Sequence, residues 1–520
     1  MRYQSDETLG IRLDGASDAP LYLQIAEQLR DRIRAGALPV GTRLPPTRAL
    51  ALALDTHRNT VVRAFELLTA WGLVDGHVGR GSYVATAPRA DDAPPLAGAA
   101  EPAEPAEPAW RAEIPWNALL SRAALSEPLR RTQRLAGPAA PGAINLASMQ
   151  PSADLIPHEA MRKCLDHVLR THGAAALSYA PSQGLERLRA LIAAELAGVG
   201  VHASPDDILI TSGSQQAIDL IARALVNPGD MFLTEGRTYS GALNILTAAG
   251  ADIIGVPSDA EGPDLAALEP LPGLGQVKGL YLMPSSRNPT GTSISAARRE
   301  ALVAWARRSS VPLLEDDYGA DLLLDEATPR LPSLRSLSPD VLHLGTYSKK
   351  LMPALRVGFI VCPPALRGPL TTLKHAMDLG TSALLQHALA EFLDRGLLRA
   401  HLRTVNAAYR ERRDALVDGL RASLPSEATF EVPERGVVLW LSLPPGIDPE
   451  AAWQVARLEG VMVSPSTVYA TMTPLPPGLR LTYCNEPPER LREGARRLGR
   501  ALASLGSRGR GRQGTELIGA

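Results

Sequence analysis

The sequence GTYSKKLMPALRVGF occupies residues 345–359 and follows directly after the aliphatic run Val341–Leu344. An aliphatic run that ends in a small polar cluster is typical of a buried strand that leads into a turn and a helix. The same order recurs upstream, where aliphatic runs precede TSGSQ (211–215), SSRNPTG (285–291) and EDDYG (315–319). Strands that alternate with helices predict an α/β fold, with a mostly parallel sheet covered by helices.

The four polar clusters are expected to meet at one edge of this sheet, because ligands of open parallel sheets bind beyond the carboxyl ends of the strands. Together the clusters offer a lysine, acids, an amide, an aromatic ring and an arginine. Gly213-Ser214-Gln215 opens an apolar helix predicted over Ala217–Leu225, and the free N–H groups of a helix N-terminus bind phosphate. The pattern therefore predicts a site that can hold a phosphorylated ligand.

The composition excludes several classes of protein. The chain has 520 residues, of which 45% are hydrophobic and 21% charged, and this indicates a globular protein with at least two domains. No run of about 18 apolar residues could span a bilayer, and the start MRYQSDETLG lacks the apolar stretch of a secretory signal. The three cysteines lie far apart, and no His or Cys grouping has metal-ligand spacing. We therefore expect a cytoplasmic protein with reduced thiols and no metal site.

Residues 21–84 show a different pattern, of three helices followed by a hairpin. Aliphatic residues at helical spacing predict a first helix from Leu21 to a stop at Gly36, and a second is predicted over Arg48–Leu54. Thr56 is the expected cap of the third helix, and residues 73–84 predict two antiparallel strands. From residue 21 to residue 86 the chain has eight arginines and five acidic residues, and this net charge of +3 is compatible with nucleic-acid binding.

These patterns divide the chain into four segments. Residues 1–86 form the helix and hairpin unit, and residues 87–114 form a linker with three EPA repeats at 101–109. A segment rich in Pro and Ala is expected to be extended and semi-rigid. Residues 115–505 form the α/β domain, and residues 506–520 are expected to be a disordered tail.

Four stretches resemble, in order, the signature segments of fold-type I, class I aminotransferases: SRNPTG (286–291), EDDYG (315–319), GTYSKKLMPALRVGF (345–359) and GLRLTY (478–483). YAPSQGLERLRALIA (179–193) and TSGSQQAIDLIA (211–222) match as well, so the resemblance covers most of the chain after about residue 145. It implies a large domain on a mostly parallel sheet, a smaller C-terminal α/β subdomain and the cofactor pyridoxal 5'-phosphate (PLP).

The resemblance assigns the reactive end of the cofactor to four residues. Lys349 would form a Schiff base with the cofactor aldehyde, and the spacing SK-x-x-x-P-x-x-R selects it over its neighbour Lys350. Asp316 would keep the pyridine nitrogen protonated, with Asp317 as the alternative. Asn288 and Tyr318 would hydrogen-bond to the ring's phenolate oxygen.

Further residues would hold the rest of the cofactor and its ligand. Tyr239 would stack on the ring, and Arg480 would bind a ligand carboxylate, which makes an amino or keto acid the expected small molecule. Tyr179 would reach the phosphate from a partner subunit, which implies a homodimer. The phosphate would be held by Ser214, Gln215, Thr346, Ser348 and Arg356.

Leu44–Val84 resembles the winged helix-turn-helix of the GntR family nearly end to end. In such a domain the side chains at the start of the third helix reach base edges in the major groove, so Arg58 is the expected base reader. Arg48 would contact backbone phosphate, and Arg80 in the wing would approach the minor groove. The full set expected to contact double-stranded DNA is Arg48, His57, Arg58, Asn59, Thr60 and Arg80.

The fusion of these two domains resembles the MocR/GabR group of transcription regulators. The resemblance implies head-to-tail dimers in which PLP, or PLP with an amino compound, is the signal that changes DNA binding. Two alternatives remain at this stage. One is a working aminotransferase with an auxiliary DNA-binding domain, and the other is a regulator whose second domain has lost PLP and only dimerises.

Two segments depart from the aminotransferase pattern. The stretch ASMQPSADLIP (147–157) lacks the expected Gly-x-Pro-Asp, and EGRTYSG (235–241) carries Arg237 where proline is common. Both lie near the expected substrate side, so they leave the identity of the ligand open.

Overall fold

The computed structural model describes residues 9–14, 20–70, 73–77, 81–85, 119–135, 140–271, 273–325, 327–444 and 446–513. The chain divides into two compact units, which we call the N-terminal unit (Met1–Glu113) and the C-terminal unit (Ile114–Ala520). No helix within the described ranges is long and apolar enough to cross a membrane.

The N-terminal unit has three helices and a hairpin. Helix α1 spans Leu21–Arg34, α2 spans Thr47–Ala53 and α3 spans Arg58–Ala70, while strands β1 (Val74–His77) and β2 (Gly81–Val84) pair antiparallel. Apolar side chains three or four residues apart on each helix form one buried stripe, which creates the core of the unit. That core includes Ile25, Leu29, Leu50, Val61, Phe65 and Leu68.

The start of α3 differs from the sequence prediction by one position. Thr56 is not the residue that precedes the helix, because its backbone N–H donates to the carbonyl of Ala51 and so belongs to the turn that ends α2. Asp55 in this turn adopts a positive φ of 46°. His57 therefore precedes α3, and its carbonyl accepts from the N–H of Thr60.

Among its described residues, the C-terminal unit contains a seven-stranded sheet, a four-stranded sheet, two sheets of two strands and many helices. Its helices are α4 (Glu127–Leu135), α5 (His158–His172), α6 (Glu186–Ala197), α7 (Ser214–Leu225), α8 (Ser240–Ala249), α9 (Leu265–Leu268), α10 (Ala296–Ser309), α11 (Leu334–Leu337), α12 (Pro364–Asp378), α13 (Ala383–Asp394), α14 (Leu397–Ser423), α15 (Pro449–Leu458) and α16 (Pro488–Gln513). Its strands are β3 (Ile144–Asn145), β4 (Ile208–Thr211), β5 (Met231–Glu235), β6 (Asp252–Val256), β7 (Ser258–Asp259), β8 (Gly262–Pro263), β9 (Val277–Leu282), β10 (Leu313–Asp317), β11 (Leu342–Thr346), β12 (Gly358–Val361), β13 (Thr429–Phe430), β14 (Val438–Ser442), β15 (Val461–Met462), β16 (Ser464–Pro465) and β17 (Gly478–Thr482).

The large sheet has seven strands in the order β4-β12-β11-β10-β9-β5-β6. All neighbouring pairs are parallel except the two that involve β12, which runs antiparallel to both β11 and β4. All its strands except β6 are almost wholly buried, as expected for a parallel sheet with helices on its faces, and β6 is a partly exposed edge strand. The predicted α/β fold with a mostly parallel sheet is confirmed.

The small sheet lies in the C-terminal part of the unit. It is antiparallel, with strand order β13-β14-β17-β16. Leu439, Leu441, Leu479 and Leu481 face a core shared with helices α14, α15 and α16, while Trp440 and Arg480 alternate with them and face the other way. This arrangement is the smaller C-terminal α/β subdomain expected from the sequence.

Helix α16 extends further than the sequence prediction. It continues to Gln513, whereas the domain was expected to end at residue 505. Once a helix has formed, each added residue gains a hydrogen bond, and this offsets the low helix propensity of the three glycines among residues 506–513. Residues 514–520 lie outside the described residues.

Two leucines of α2 provide a matched test of the N-terminal core. Leu50 is fully buried, whereas Leu52 is 86% exposed on the same helix. Leu50→Ala should lower the free energy of opening of this unit by about 2–5 kcal/mol, because it leaves a cavity. Leu52→Ala should change that energy by less than about 0.5 kcal/mol.

Hydrogen exchange followed by mass spectrometry on the full chain measures this difference in the amides of α1 and α3. Equal protection in the two variants would contradict the assignment of Leu50 to the core.

Candidate functional site

The four polar clusters of the sequence meet at one edge of the large sheet. Strands β4, β9, β10 and β11 run in the same direction and end there, as does β5, and each is followed by a polar loop. Because β12 runs the other way, its first residue lies at the same edge and Arg356 precedes it. The geometry thus places residues from five loops and one strand start along a single rim.

Asp316 occupies the centre of this rim and is almost completely buried. One carboxylate oxygen, Oδ2, accepts a hydrogen bond from the hydroxyl of Tyr281 at 2.7 Å. The other, Oδ1, is buried and has no hydrogen-bond partner among the described residues. Burial raises the pKa of Asp316 to about 6, and the neighbouring Asp317 adds to the rise. This carboxylate therefore has one oxygen free to accept from a buried donor.

Asp317 has its own partners on the opposite face of the strand. Successive residues of a strand point to opposite faces, so Asp317 shares a face with Glu315 rather than with Asp316. Its Oδ1 accepts from the N–H of Ala320 at 3.0 Å, and the residue lines a cavity together with Lys350 and Asp321.

The two adjacent lysines also differ in their surroundings. Lys350 donates to Asp321 at 2.8 Å and lies 4.7 Å from the centre of the Tyr347 ring. Burial alone would lower its pKa, but the carboxylates of Asp321 and Glu195 outweigh burial and raise it. Lys349 has no carboxylate partner within the described ranges.

The surroundings of Lys349 favour its neutral amine. Burial is the main reason that its pKa is lowered, and the positive charges of Arg480 and Arg356 lower it further. Cys484 is its buried neighbour, and burial raises the pKa of that thiol to about 11, so the thiol stays neutral. A neutral amine is a nucleophile, and this separates Lys349 from Lys350.

A polar cradle surrounds the start of α7. Arg356 has a positive φ of 49° and donates to the carbonyl of Ser212 at 2.8 Å. Gly213 has a φ of 88°, and a Cβ atom there would lie 3.1 Å from the Arg356 guanidinium, so glycine is required. Ser214 is the first residue of the helix, where N–H groups are free to bind an anion.

Other predicted residues border the same cradle. Gln215 donates from Nε2 to the hydroxyl of Tyr239 at 2.7 Å. The hydroxyl of Thr346 donates to that of Ser348 at 3.1 Å, and both residues are buried.

Asn288 and Arg480 meet on the side of the small sheet. Arg480 donates to Oδ1 of Asn288 at 3.4 Å and also to the carbonyl of Ala147. Its guanidinium lies 5.4 Å from the centre of the Tyr469 ring. A guanidinium held over an aromatic ring, with Nε buried and unpaired among the described residues, is oriented to bind a carboxylate.

Two tyrosines predicted for the site differ in position. Tyr318 is buried and hydrogen-bonds with Ser286 at 3.1 Å, and burial raises the pKa of its hydroxyl. Tyr179 is 82% exposed, and the structure of one chain does not bring it into contact with the rim.

Three residues of the site were missed in the sequence: Tyr281, Tyr469 and Met149. Tyr281 holds Asp316, Tyr469 lies against Arg480, and the sulfur of Met149 contacts both Asn288 and Arg480 at 3.4 Å. A tyrosine within the otherwise aliphatic run Leu280–Leu282 is a signal that could have identified the first. Met149 lies in the segment already noted for its departure from the aminotransferase pattern.

The residues expected to contact DNA are only partly described. Arg58 and Asn59 begin α3, and Thr60 follows them, half-buried. His57 is exposed just before the helix. The side chains of Arg48, Arg58 and Asn59 lie outside the described residues, as does all of Arg80.

Comparison with known proteins identifies both units. Residues 141–498 match the model of the family aminotransferase class I and II, whose fold typically binds PLP. Residues 21–84 match the model of the bacterial regulatory proteins of the gntR family, which implies DNA binding.

Relatives match this chain either over nearly its whole length or over about three quarters of it. The chain is 31% identical to the probable rhizopine catabolism regulatory protein MocR of Rhizobium meliloti, over 96% of this chain and 97% of that protein. It is 35% identical to 2-aminoadipate transaminase of Thermus thermophilus, over 74% of this chain and 95% of that protein.

Solved structures match the C-terminal unit. The α-aminoadipate aminotransferase of Thermus thermophilus, complexed with N-(5'-phosphopyridoxyl)-L-leucine, has a TM-score of 0.69 at 32% identity and covers 76% of this chain and 100% of that one. A multiple substrate aminotransferase from Thermococcus profundus has a TM-score of 0.71 at 28% identity, with 76% and 100% covered.

The difference between the two lysines can be measured directly. At mildly alkaline pH, 1-fluoro-2,4-dinitrobenzene should modify Lys349 faster than Lys350 in cofactor-free protein, because only the neutral amine reacts. The lowered pKa of Lys349 leaves more of its amine unprotonated, and the raised pKa of Lys350 does the opposite. Peptide mapping by mass spectrometry follows both rates, and similar rates would contradict this assignment.

Proposed function

This chain belongs to the class I and II aminotransferase family and, through its GntR-family domain, to the MocR-type transcription regulators, and we propose that PLP and an amino or keto acid control its binding to DNA. One observation supports the proposal above all others. A nucleophilic lysine and a half-satisfied buried carboxylate occupy the same rim in a chain that also carries a DNA-binding domain.

The residues at the rim fit PLP. The unpaired Oδ1 of Asp316 is placed to accept a hydrogen bond from a protonated pyridine nitrogen, whose positive charge would offset the cost of burying the carboxylate. The free N–H groups at Ser214, with the Arg356 guanidinium beside Gly213, form an anion cradle suited to a phosphate. The bound cofactor would supply an aldehyde and an electron-withdrawing ring.

Each predicted site residue would then have a separate role in binding the cofactor or the ligand. Lys349 would bind the aldehyde and later hold or release a proton at Nζ. Asn288 and Tyr318 would hydrogen-bond to the ring oxygen, and Tyr239 would cover the ring face. Gln215, Thr346 and Ser348 would complete the phosphate cradle that Ser214 and Arg356 begin, and Arg480 would orient a ligand by its carboxylate.

Control of DNA binding requires that the ligand favour one state of the protein over another. A homodimer provides such states, since it carries two DNA-binding units. The exposed Tyr179 is consistent with a contribution to the partner subunit's cradle, because a large aromatic residue that is 82% exposed in one chain is available to cover a second.

A second candidate function is catalysis of transamination. It is favoured by the presence of Lys349, Asn288 and Arg480 at one rim, and by the alignment of this chain with 95% of a 2-aminoadipate transaminase. A titration of the PLP-loaded protein with amino acids separates the two. A lasting spectral change together with altered DNA affinity supports the regulator, whereas conversion of the cofactor to its amine form, reversed by a keto acid, supports the transaminase.

Substitution of the two lysines tests the cofactor assignment. After incubation with PLP and reduction by borohydride, Lys349→Ala should carry no covalent cofactor, whereas Lys350→Ala should carry as much as the wild type. Mass spectrometry of the intact chain and of its peptides measures both. A cofactor attached to Lys350 in the first variant would show that the other lysine is the reactive one.

Substitution of Arg58 tests the DNA-binding assignment. Arg58→Ala should weaken binding to a duplex selected from a random-sequence pool by about 1–3 kcal/mol, because a base contact is lost, and PLP content should not change. Fluorescence anisotropy measures the affinity at fixed salt. Arg34→Ala, in the last turn of α1, is the matched control for loss of one positive charge, and equal effects of the two substitutions would contradict the assignment.

A further inference from the structure

Arg237 follows strand β5 and reaches across to the small sheet. Its guanidinium lies 5.3 Å from the centre of the Trp440 ring, and Nη2 donates to the carbonyl of Pro476 at 2.8 Å. The backbone of Arg237 forms an isolated antiparallel bridge with Ala470. Arg237 therefore lies where the loop after a large-sheet strand meets the small sheet.

This guanidinium has no counter-charge among the described residues. No carboxylate there forms an ion pair with it, its Nε is buried without a hydrogen-bond partner, and burial lowers its pKa. Some buried cations of the unit are paired, such as Arg287 with Glu235 at 3.0 Å, whereas buried Arg299 is held by backbone carbonyls, with Nε bonded to Ile294 at 2.9 Å. The Nε of Arg237 has neither kind of partner among the described residues. A partly desolvated cation without a counter-charge is costly, so an anion at this position would be bound favourably.

The position of Arg237 relates it to Arg480. Trp440 and Arg480 are directly opposite each other on β14 and β17, so their side chains share the face of the small sheet on which Asn288 lies. The Trp440 ring lies over Gly478, where an added Cβ would be 2.2 Å from the ring. Gly478 is two residues from Arg480 along the strand, a distance of about 7 Å.

A second contact ties the two arginines to one region. The N–H of Thr238, next to Arg237, donates to the carbonyl of Tyr469 at 3.0 Å, and the ring of Tyr469 lies against Arg480. Arg480 and Arg237 are thus both connected to Tyr469, and neither forms an ion pair with an acidic residue among the described residues.

We propose that Arg237 binds the second carboxylate of a dicarboxylic amino or keto acid whose first carboxylate is bound by Arg480. This inference rests on the proposed function in that it takes Arg480 as the site of the first carboxylate. A ligand with an apolar side chain would leave the Arg237 guanidinium unpaired, and one with a basic side chain would be repelled by it. The side-chain acid is therefore the chemical feature that distinguishes the preferred ligand.

Two unreactive acids of equal carbon number test the proposal. Glutarate has two carboxylates and pentanoate has one, and neither has an amine that could react with a cofactor. In the PLP-treated full chain, glutarate should bind at least about tenfold more tightly than pentanoate, as measured by isothermal titration calorimetry. Arg237→Gln should abolish this preference and leave the affinity for pentanoate unchanged.

Two further variants complete the experiment. Arg237→Lys should keep part of the preference, because it retains the charge but loses the bidentate fork. Arg457→Gln is the matched control, since Arg457 also stacks on a tryptophan, with its guanidinium 5.6 Å from the centre of the Trp453 ring, and it should keep the full preference.

Equal affinities of the wild type for the two acids would overturn the proposal, as would a preference that survives in Arg237→Gln. A loss of affinity for both acids alike in that variant would also overturn it, because Arg237 would then only hold Trp440 and Pro476 in place. The absorption band of the lysine-bound cofactor, recorded on the same samples, tests the proposed function separately from the choice of acid.

Discussion

The central strand β10 ends in three consecutive carboxylates, Glu315, Asp316 and Asp317. Burial of a carboxylate is costly, and the partners that offset this cost differ among the three and determine where a ligand can bind. Glu315 is paired with His343 at 2.9 Å and accepts from the N–H groups at the start of α11. Burial raises the pKa of Glu315, but the hydrogen bond and charge of His343 outweigh it, so the pKa is lowered overall. Asp317 accepts from the backbone on the same face. Of the three, only Asp316 has a buried carboxylate oxygen with no hydrogen-bond partner among the described residues, and a buried group of this kind marks the position at which a ligand completes the network.

The same strand geometry explains why adjacent residues of one type take different roles. Alternation along β10 sends Asp316 and Asp317 to opposite faces. Beyond β11, the polar loop carries Lys349 towards Arg480 and Arg356, while Lys350 turns to Asp321 and the cavity that Asp317 lines. The structure thus separates the two pairs of adjacent residues. Asp317 and Lys350 have internal partners, whereas Asp316 and Lys349 have no counter-charge among the described residues. The set without paired charges is the one that supports PLP binding, because a buried charge with no internal counter-charge gains most from an interaction with a cofactor.

The sequence predicted the large sheet and its rim well, because both depend on local patterns. The central strands are aliphatic runs, and most of the predicted site residues lie in polar clusters at or just beyond the carboxyl ends of these strands, so position along the chain was enough for them. The contributions of Tyr281 and Arg237 could not be predicted in this way. Tyr281 meets Asp316 through the register of β9 against β10, and Arg237 meets Trp440 through contact between two sheets whose strands are about two hundred residues apart. The start of α3 could not be predicted for a similar reason. The N–H of Thr56 donates to the carbonyl of Ala51 in the preceding helix, a contact that lies outside α3.

The unequal sizes of the two units bear on how a ligand could control DNA binding. Residues 21–86 have a net charge of only +3, and affinity for DNA rises steeply with the number of phosphates neutralised. In the homodimer proposed above, binding by the first unit raises the effective concentration of the second, and that concentration depends on whether the two units can reach their half-sites together. The C-terminal units set this geometry, since they would form the dimer. A ligand that changes the arrangement of the C-terminal units would therefore change this effective concentration, and with it the affinity for DNA. It would do so without contacting DNA or altering the residues that read it.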